Sequence, residues 1–454
     1  MDVEILSRIQ FAFTIAFHYI YPPLSIGLGV CLVIIETIYL KTRNEIYRRM
    51  AKFWTRIFAL TFAIGVATGI VMEFEFGTNW ATYSRYVGDV FGSALAAEGV
   101  FAFFLESGFL AILLFGWDKV GPKLHYFSTL MVCFGAHFSA VWIVVANSWQ
   151  QTPAGYQIVG EGIDARAEIT DFWAMVFNPS SMDRLSHTII GCWQAGAWLL
   201  VSVSAYYILK KRHPNTSPMG LRIGLSVAAV ASILQLISGH SSAEVVAEHQ
   251  PAKLAAMEGH WDQGPADLYL FGWVDEENEK TTGLSIPGGV GLLLSGDTRQ
   301  ELPGLTNWEP EDRPKANWVF QCYHLMIAIG FALIALAGIA CFKWWRGSLE
   351  STPWLLKLLV VAPLGPQIAN QAGWFTAELG RQPWIVYGHL RTSDGLSKTV
   401  EANQVLFSLI GFSLIYALLF ALFVFLLNMK IKHGPDDKVT IEGGSKRRIL
   451  TSNR

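Results

Sequence analysis

Apolar residues in this chain gather into long, nearly unbroken runs, rather than alternating or forming narrow stripes. A run of about 20 predominantly apolar residues can cross a bilayer as a helix. Such runs lie at roughly 9–38, 53–75, 92–116, 125–146, 186–209, 221–239, 318–342, 354–377 and 404–428. Their length and spacing predict an all-α, polytopic membrane protein of about nine transmembrane helices. The predicted organisation is 1–239 for the first six helices, 240–317 for a long polar segment, 318–428 for the last three helices and 429–454 for a basic tail. Within the polar segment, Ala243 to Trp261 has helical character, and an acidic stretch runs from Asp275 to Glu279.

Charge orients the predicted helices. Lys and Arg concentrate in alternate connections: Lys41 to Lys52, Lys119 and Lys123, Lys210 to Arg222, Lys343 to Lys357, and the tail from Lys430 to Arg448. Positive residues stay on the cytoplasmic side. The N-terminus is therefore expected outside, the C-terminus inside, and the polar segment outside. Asp2 and Glu4 precede the first run, which continues too far for a signal peptide. Only 15% of residues are charged, and the formal net charge is −2, which argues against a nucleic-acid partner. The five cysteines form no CxxC pair and read as small core residues. Neither a phosphate-binding glycine loop nor an HExxH pattern is present.

The chemistry lies in ionisable residues placed where lipid should be. A charge at mid-bilayer costs about 2.5–3.5 kcal/mol on insertion scales, so such groups usually face a cavity, a cofactor or a partner. His18 falls in the first run, Glu98 and Glu106 in the third, His137 in the fourth, His187 in the fifth, His324 in the seventh and Glu378 at the end of the eighth. Glu98 and Glu106 would stand about 80° apart on one α-helix, broadly one face, with Ser107 adjacent. His18 and His187 have the chemistry of axial haem ligands, whereas a lone buried His is more often a satisfied core residue. Met326 alone would read as core, and Glu378 with Arg381 as an ion pair. These residues leave a haem protein, a transporter and a channel all open.

Longer motifs narrow the choice. Gly65-Val-Ala-Thr-Gly-Ile-Val-Met-Glu-Phe-Glu-Phe-Gly-Thr-Asn-Trp80 resembles the second-span signature of subunit I of cytochrome bd quinol oxidases. Leu6-Ser-Arg-Ile-Gln-Phe-Ala-Phe13, followed by His18, resembles that family's first span, and Ala97-Glu-Gly-Val-Phe-Ala-Phe-Phe-Leu-Glu-Ser107 its third. Gly373-Trp-Phe-Thr-Ala-Glu-Leu-Gly-Arg-Gln-Pro-Trp384 matches the family pattern GWxxxExGRQPW in full.

The resemblance implies a terminal oxidase that oxidises ubiquinol or menaquinol outside and reduces dioxygen to water. It would build proton motive force by charge separation, without pumping. It implies a low-spin haem b, a high-spin haem b and a haem d, or a further haem b in its place, and no copper. A haem-free subunit II, with small accessory subunits left open, and a bacterial or archaeal plasma (inner) membrane complete the expectation. Residue by residue, His187 and Met326 match the low-spin axial pair, and His18 and Glu378 the ligands of the high-spin haems. Glu98 matches a ligand or proton donor beside them. Glu106 and Ser107 match a cytoplasmic proton route. Trp374 matches an aromatic among the haems, and Arg381 of the same motif is expected to be a cofactor-binding residue. Lys253 and Glu258, in Gln250-Pro-Ala-Lys-Leu-Ala-Ala-Met-Glu258, match residues of quinol oxidation; alone they would read as a solvated helix face. Two departures stand out: His324 replaces an Arg found two residues before the axial Met in well-studied members, and the quinol loop is of the short type. A secondary transporter would be expected to show internal symmetry, which is not evident. A haem-b quinol dehydrogenase would need paired histidines.

Overall fold

The computed structural model describes residues 2–436, so Lys438, Lys446, Arg447 and Arg448 of the predicted tail lie outside the described residues. The chain is an all-α bundle. Among the described residues, eight helical stretches are long and apolar enough to cross a membrane. The first predicted run forms α1 (Val3–His18) and α2 (Tyr21–Thr42). Pro22 and Pro23 explain the break, because each ring clashes with the carbonyl four residues back, at His18 and Tyr19. His18 therefore sits at a helix end. α3 (Glu45–Thr78) returns alongside both helices. A short α4 (Ala81–Tyr86) leads into the third run.

That run is α5 (Gly88–Ala97), a π-helical turn over Glu98–Phe103, and α6 (Phe104–Phe115). A π turn is wider than an α turn and rotates less per residue. The 80° separation expected of Glu98 and Glu106 on a uniform α-helix therefore does not apply.

Next come α7 (Pro122–Gln151), the hairpin of β1 (Tyr156–Val159) and β2 (Arg166–Ile169), the short α8 (Phe172–Val176), and then α9 (Ser181–Leu209). α10 (Ser217–His249) runs ten residues past the predicted boundary at 239. The helical stretch expected at 243–261 is real but divided, since α11 (Pro251–Glu258) begins after a turn at Gln250. Pro251 disfavours helical geometry for the residue before it, and Gln250 adopts φ −139°, ψ 60°.

The rest of the polar segment is a small mixed layer rather than a loop. Here β3 (Gly264–Pro265) pairs with β6 (Glu301–Leu302), and β4 (Leu268–Asp275) pairs antiparallel with β5 (Lys280–Ile286), with α12 (Gly289–Ser295) between. α13 (Ala316–Trp345) re-enters the bundle. The eighth predicted run is broken into α14 (Pro353–Val361) and α15 (Leu364–Leu379), since Pro363 cannot continue the first helix. The strands β7 (Trp384–Val386) and β8 (Leu390–Arg391) precede α16 (Ala402–His433), which ends five residues beyond the predicted 428.

Lipid removes the hydrophobic drive between helices, so close packing and buried hydrogen bonds hold the bundle. α2 and α9 meet backbone to backbone: a Cβ on Gly27 would lie 2.2 Å from the Cys192 carbonyl oxygen, and one on Gly196 2.2 Å from the Gly27 carbonyl carbon. Trp198 Nε1 donates to Gln194 (2.8 Å), whose amide donates to Ser232 of α10 (3.0 Å). Each such bond contributes about 0.6 kcal/mol.

Candidate functional site

A cavity of about 1480 Å³ runs through the bundle. His18, His187, Met326, Trp374, Glu378 and Arg381 line it. Glu98, Glu106, Lys253 and Glu258 line it too. Ser107 does not: its side chain is exposed on α6, and its hydroxyl turns back to the Phe104 carbonyl (3.4 Å). The hydroxyl beside Glu98 belongs instead to Ser139 of α7, which donates to Glu98 Oε1.

Both cavity histidines have Nδ1 beside a hydroxyl of a neighbouring helix. His18 Nδ1 lies 2.9 Å from Thr68 Oγ1, whose own proton goes to the Ile64 carbonyl (2.9 Å). Thr68 must then accept, so His18 carries its proton on Nδ1 and keeps the Nε2 lone pair. His187 Nδ1 lies 3.0 Å from Ser238 Oγ, and the Gln235 side-chain amide nitrogen lies 3.0 Å from both ring nitrogens, so Nε2 is engaged within the protein. A metal-binding His commonly has its second nitrogen fixed in this way. His137 likewise has both nitrogens engaged, accepting from Trp193 Nε1 (2.9 Å) and donating to the Cys133 carbonyl (2.7 Å). His324 bridges the carbonyls of Phe320 (2.8 Å) and Tyr269 (2.9 Å).

Met326 packs against Gly373, where a Cβ would stand 2.7 Å from the sulfur. Only glycine at 373 leaves the thioether room at this depth. Trp374, the next residue on α15, lines the cavity.

Polar groups crowd the end nearest the polar segment. Glu378 Oε2 accepts from Arg381 Nη2 (2.5 Å), and Oε1 accepts from Asn147 (3.0 Å) and Gln151 (3.3 Å). Arg184 donates to Asn147. Lys253 Nζ donates to Gln151 and Gln250, each at 2.5 Å. Lys253 is 2% exposed, so it does not lie on a solvated face. Burial, with the charges of Arg184 and Arg381, holds its pKa well below the usual lysine range. Glu258 is also buried, its carboxyl beside the Tyr323 hydroxyl, and burial raises its pKa to about 7. Three basic side chains, Arg184, Arg381 and Lys253, thus surround one carboxylate, Glu378. Among the described residues, buried Arg381 Nη1 and Arg184 Nε have no acceptor.

This donor set fits haem. Two neutral imidazoles and a thioether suit axial positions, and the apolar cavity suits the macrocycle. The unsatisfied guanidinium N–H groups suit its carboxylate side chains. Among the described residues, no three His, Cys, Asp or Glu side chains gather as ligands of a separate metal ion.

The sequence reading passed over four ionisable residues that carried the signal it used. Glu36 on α2 accepts from Thr129 (2.8 Å) and pairs with His125 (3.1 Å) at the end of the bundle away from the polar segment. Glu75 accepts from Thr14 (2.6 Å) and ties α3 to α1. Glu73 and Arg184 line the cavity. Each is an ionisable group in or beside an apolar run.

Comparison with known proteins agrees with this geometry. Residues 6–435 match the family described as cytochrome bd terminal oxidase subunit I. The chain is 38% identical to cytochrome bd ubiquinol oxidase subunit 1 of Bacillus subtilis, over 96% of this chain and 95% of that protein. It is 35% identical to cytochrome bd-II ubiquinol oxidase subunit 1 of Escherichia coli, over 96% and 97%. The solved bd oxidase of Geobacillus thermodenitrificans superposes with a TM-score of 0.88 at 28% identity, covering 96% of this chain and 99% of that one. The chain therefore belongs to the subunit I family of cytochrome bd terminal oxidases, a multi-pass membrane subunit of a quinol oxidase.

Proposed function

We propose that this chain is the haem-bearing subunit of the oxidase, that it oxidises quinol at the polar-segment end, and that dioxygen is reduced to water within the bundle. The observation that carries the reading is the convergence of His18, His187 and Met326 on one cavity. His187 and Met326 would hold a low-spin haem b. His18 and Glu378 would serve a high-spin haem b and a haem d, or a further haem b in its place, with Glu98 close by. When bound, haem supplies one-electron transfer and, at an open iron position, oxygen binding.

The chain's own groups supply the rest. Glu258 accepts a quinol proton, and Lys253, held by Gln151 and Gln250, is a second polar group on the same cavity wall. Arg381 keeps Glu378 anionic and fixed in place. Glu106, with one buried oxygen unsatisfied, and Glu98, bonded to Ser139, hand protons inward from the opposite end of the bundle. The Lys- and Arg-rich connections support an outside N-terminus and a polar segment facing outward. Quinol protons would then leave outside while protons for water come from inside, so charge separates without pumping. Subunit II, implied by the numbering of the relatives, would complete the complex in the bacterial plasma membrane.

The test is oxygen uptake by the purified complex with ubiquinol or menaquinol, beside haem quantification on the same sample. The reading expects quinol-dependent uptake that scales with haem content. A complex that consumes oxygen without haem, or binds haem without oxidising either quinol, would overturn it.

A further inference from the structure

The two-stranded ribbon in the polar segment has one face that its own chain leaves uncovered. Paired residues of an antiparallel ribbon project to the same side. Phe271 pairs with Leu284 and Trp273 with Thr282, and this face points away from the protein. Phe271 is 66% exposed, Trp273 63% and Leu284 52%. The opposite face is packed: Val274 is buried, and Gly272 and Tyr269 lie against Phe320 of α13. Exposed Leu292 of α12 adds to the apolar surface, whereas Leu293 of the same helix lines the cavity.

Position identifies what covers that face. β4 descends beside α13, a membrane-spanning helix. Asn317 Oδ1 accepts from Val274 N (3.3 Å), Gln321 donates to the Gly272 carbonyl (2.8 Å), and His324 Nε2 lies 2.9 Å from the Tyr269 carbonyl. From Asn317 to His324 the helix advances about 10 Å at 1.5 Å per residue. The base of the ribbon is therefore about two turns deep along the span. Polarity falls in the same direction. The turn, with Asp275, Glu276, Glu277 and Glu279, is acidic, whereas the base carries Leu268, Leu270, Leu284 and Ile286. Exposed Trp318 and Leu325 on α13 continue the apolar surface downward.

We propose that the outer face of the β4–β5 ribbon, with α12, is a membrane-interfacial surface whose partner is the phospholipid headgroup and upper acyl-chain layer. The backbone supports this placement and limits its depth. A strand edge in hydrocarbon must have its polar groups satisfied. On β4, the three α13 side chains satisfy that edge. β5 lies at the free edge of this two-stranded ribbon, so the ribbon stops in the interfacial zone, where that edge can still bond water and headgroups. Trp273 and Trp318 belong at that level, because amphipathic indoles concentrate there. The inference rests on the membrane topology and is independent of the haem assignments.

The test places a nitroxide on Phe271→Cys, Leu284→Cys and Asn278→Cys in the complete oxidase, reconstituted into phospholipid nanodiscs. Signal from the unsubstituted chain, which has five cysteines, is subtracted. Elution as the intact complex confirms folding. The proposal expects collisions with bilayer-soluble oxygen to exceed those with a water-soluble nickel chelate at 271 and 284, and the reverse at 278. Nickel-dominated collisions at 271 and 284 would show a water-facing ribbon and overturn it. Protection from both reagents there would show a protein cover and also overturn it.

Discussion

Glu258 and Lys253 illustrate what single residues reveal and conceal. In the sequence they look like a solvated helix face; in the structure both are buried, and their environment shifts both toward their neutral forms. Glu258 titrates near pH 7, so it is mostly neutral below that and a carboxylate above it. As a proton acceptor it must be ionised, so quinol oxidation should rise as pH increases through about 7. In Glu258→Gln the rate should fall about 100-fold, and this pH dependence should vanish with haem content unchanged. The measurement is a pH profile of quinol oxidation in both proteins, and a wild-type rise surviving in the variant would remove Glu258 from the role. The same raised pKa means that its contribution to stability is present at low pH and lost as pH rises through about 7. Family motifs pointed to both residues, but no pattern in the sequence could show their burial. Arg184 was the reverse case: its charge beside an apolar run was a visible signal, and only the fold shows that it joins the cluster around Glu378.

Most helices were legible because a span must be long and apolar, and no other element satisfies its backbone in lipid. What the runs did not convey was where a helix breaks while staying apolar. The breaks at Tyr19 and Ala362 follow from prolines, and the π turn at Glu98 has no comparable mark in the sequence. The small strands of the polar segment were missed because short, mixed stretches give no span-length signal. At this scale Gly373 leaves space on α15 for the Met326 sulfur of α13. Gly373→Ala would force the Met326 sulfur aside, at a cost of about 1–3 kcal/mol. The low-spin haem should then shift toward a high-spin spectrum, readable by visible absorption; an unchanged spectrum would separate Met326 from the iron. The π turn carries the second element-scale prediction. It sets Glu98 against Ser139, with Glu106 on the succeeding helix, so Glu106→Leu should slow oxygen reduction at least 10-fold while quinol still reduces the low-spin haem at its normal rate. Stopped-flow reduction beside oxygen uptake makes the comparison, and normal turnover would place proton entry elsewhere.

For the whole molecule, one cavity draws side chains from nearly every membrane helix, so no single segment could have revealed it. The order of motifs foreshadowed the assembly, and the charge of the connections proposes an orientation, N-terminus and polar segment outside. That orientation predicts that a cysteine at Asn278 in intact cells reacts with an impermeant maleimide, whereas one at Asp118 reacts only after the membrane is opened. The opposite pattern would invert the topology. The central claim is that His18, His187, Met326 and Glu378 hold haem in this cavity. The most direct test is the reduced-minus-oxidised visible spectrum of the purified complex, recorded for the wild type and for His187→Ala. The account predicts low-spin and high-spin haem bands in the wild type, and loss of the low-spin band together with quinol oxidation in the variant while the high-spin bands persist. A wild-type complex without haem absorbance, or a variant that keeps the low-spin band, would contradict it.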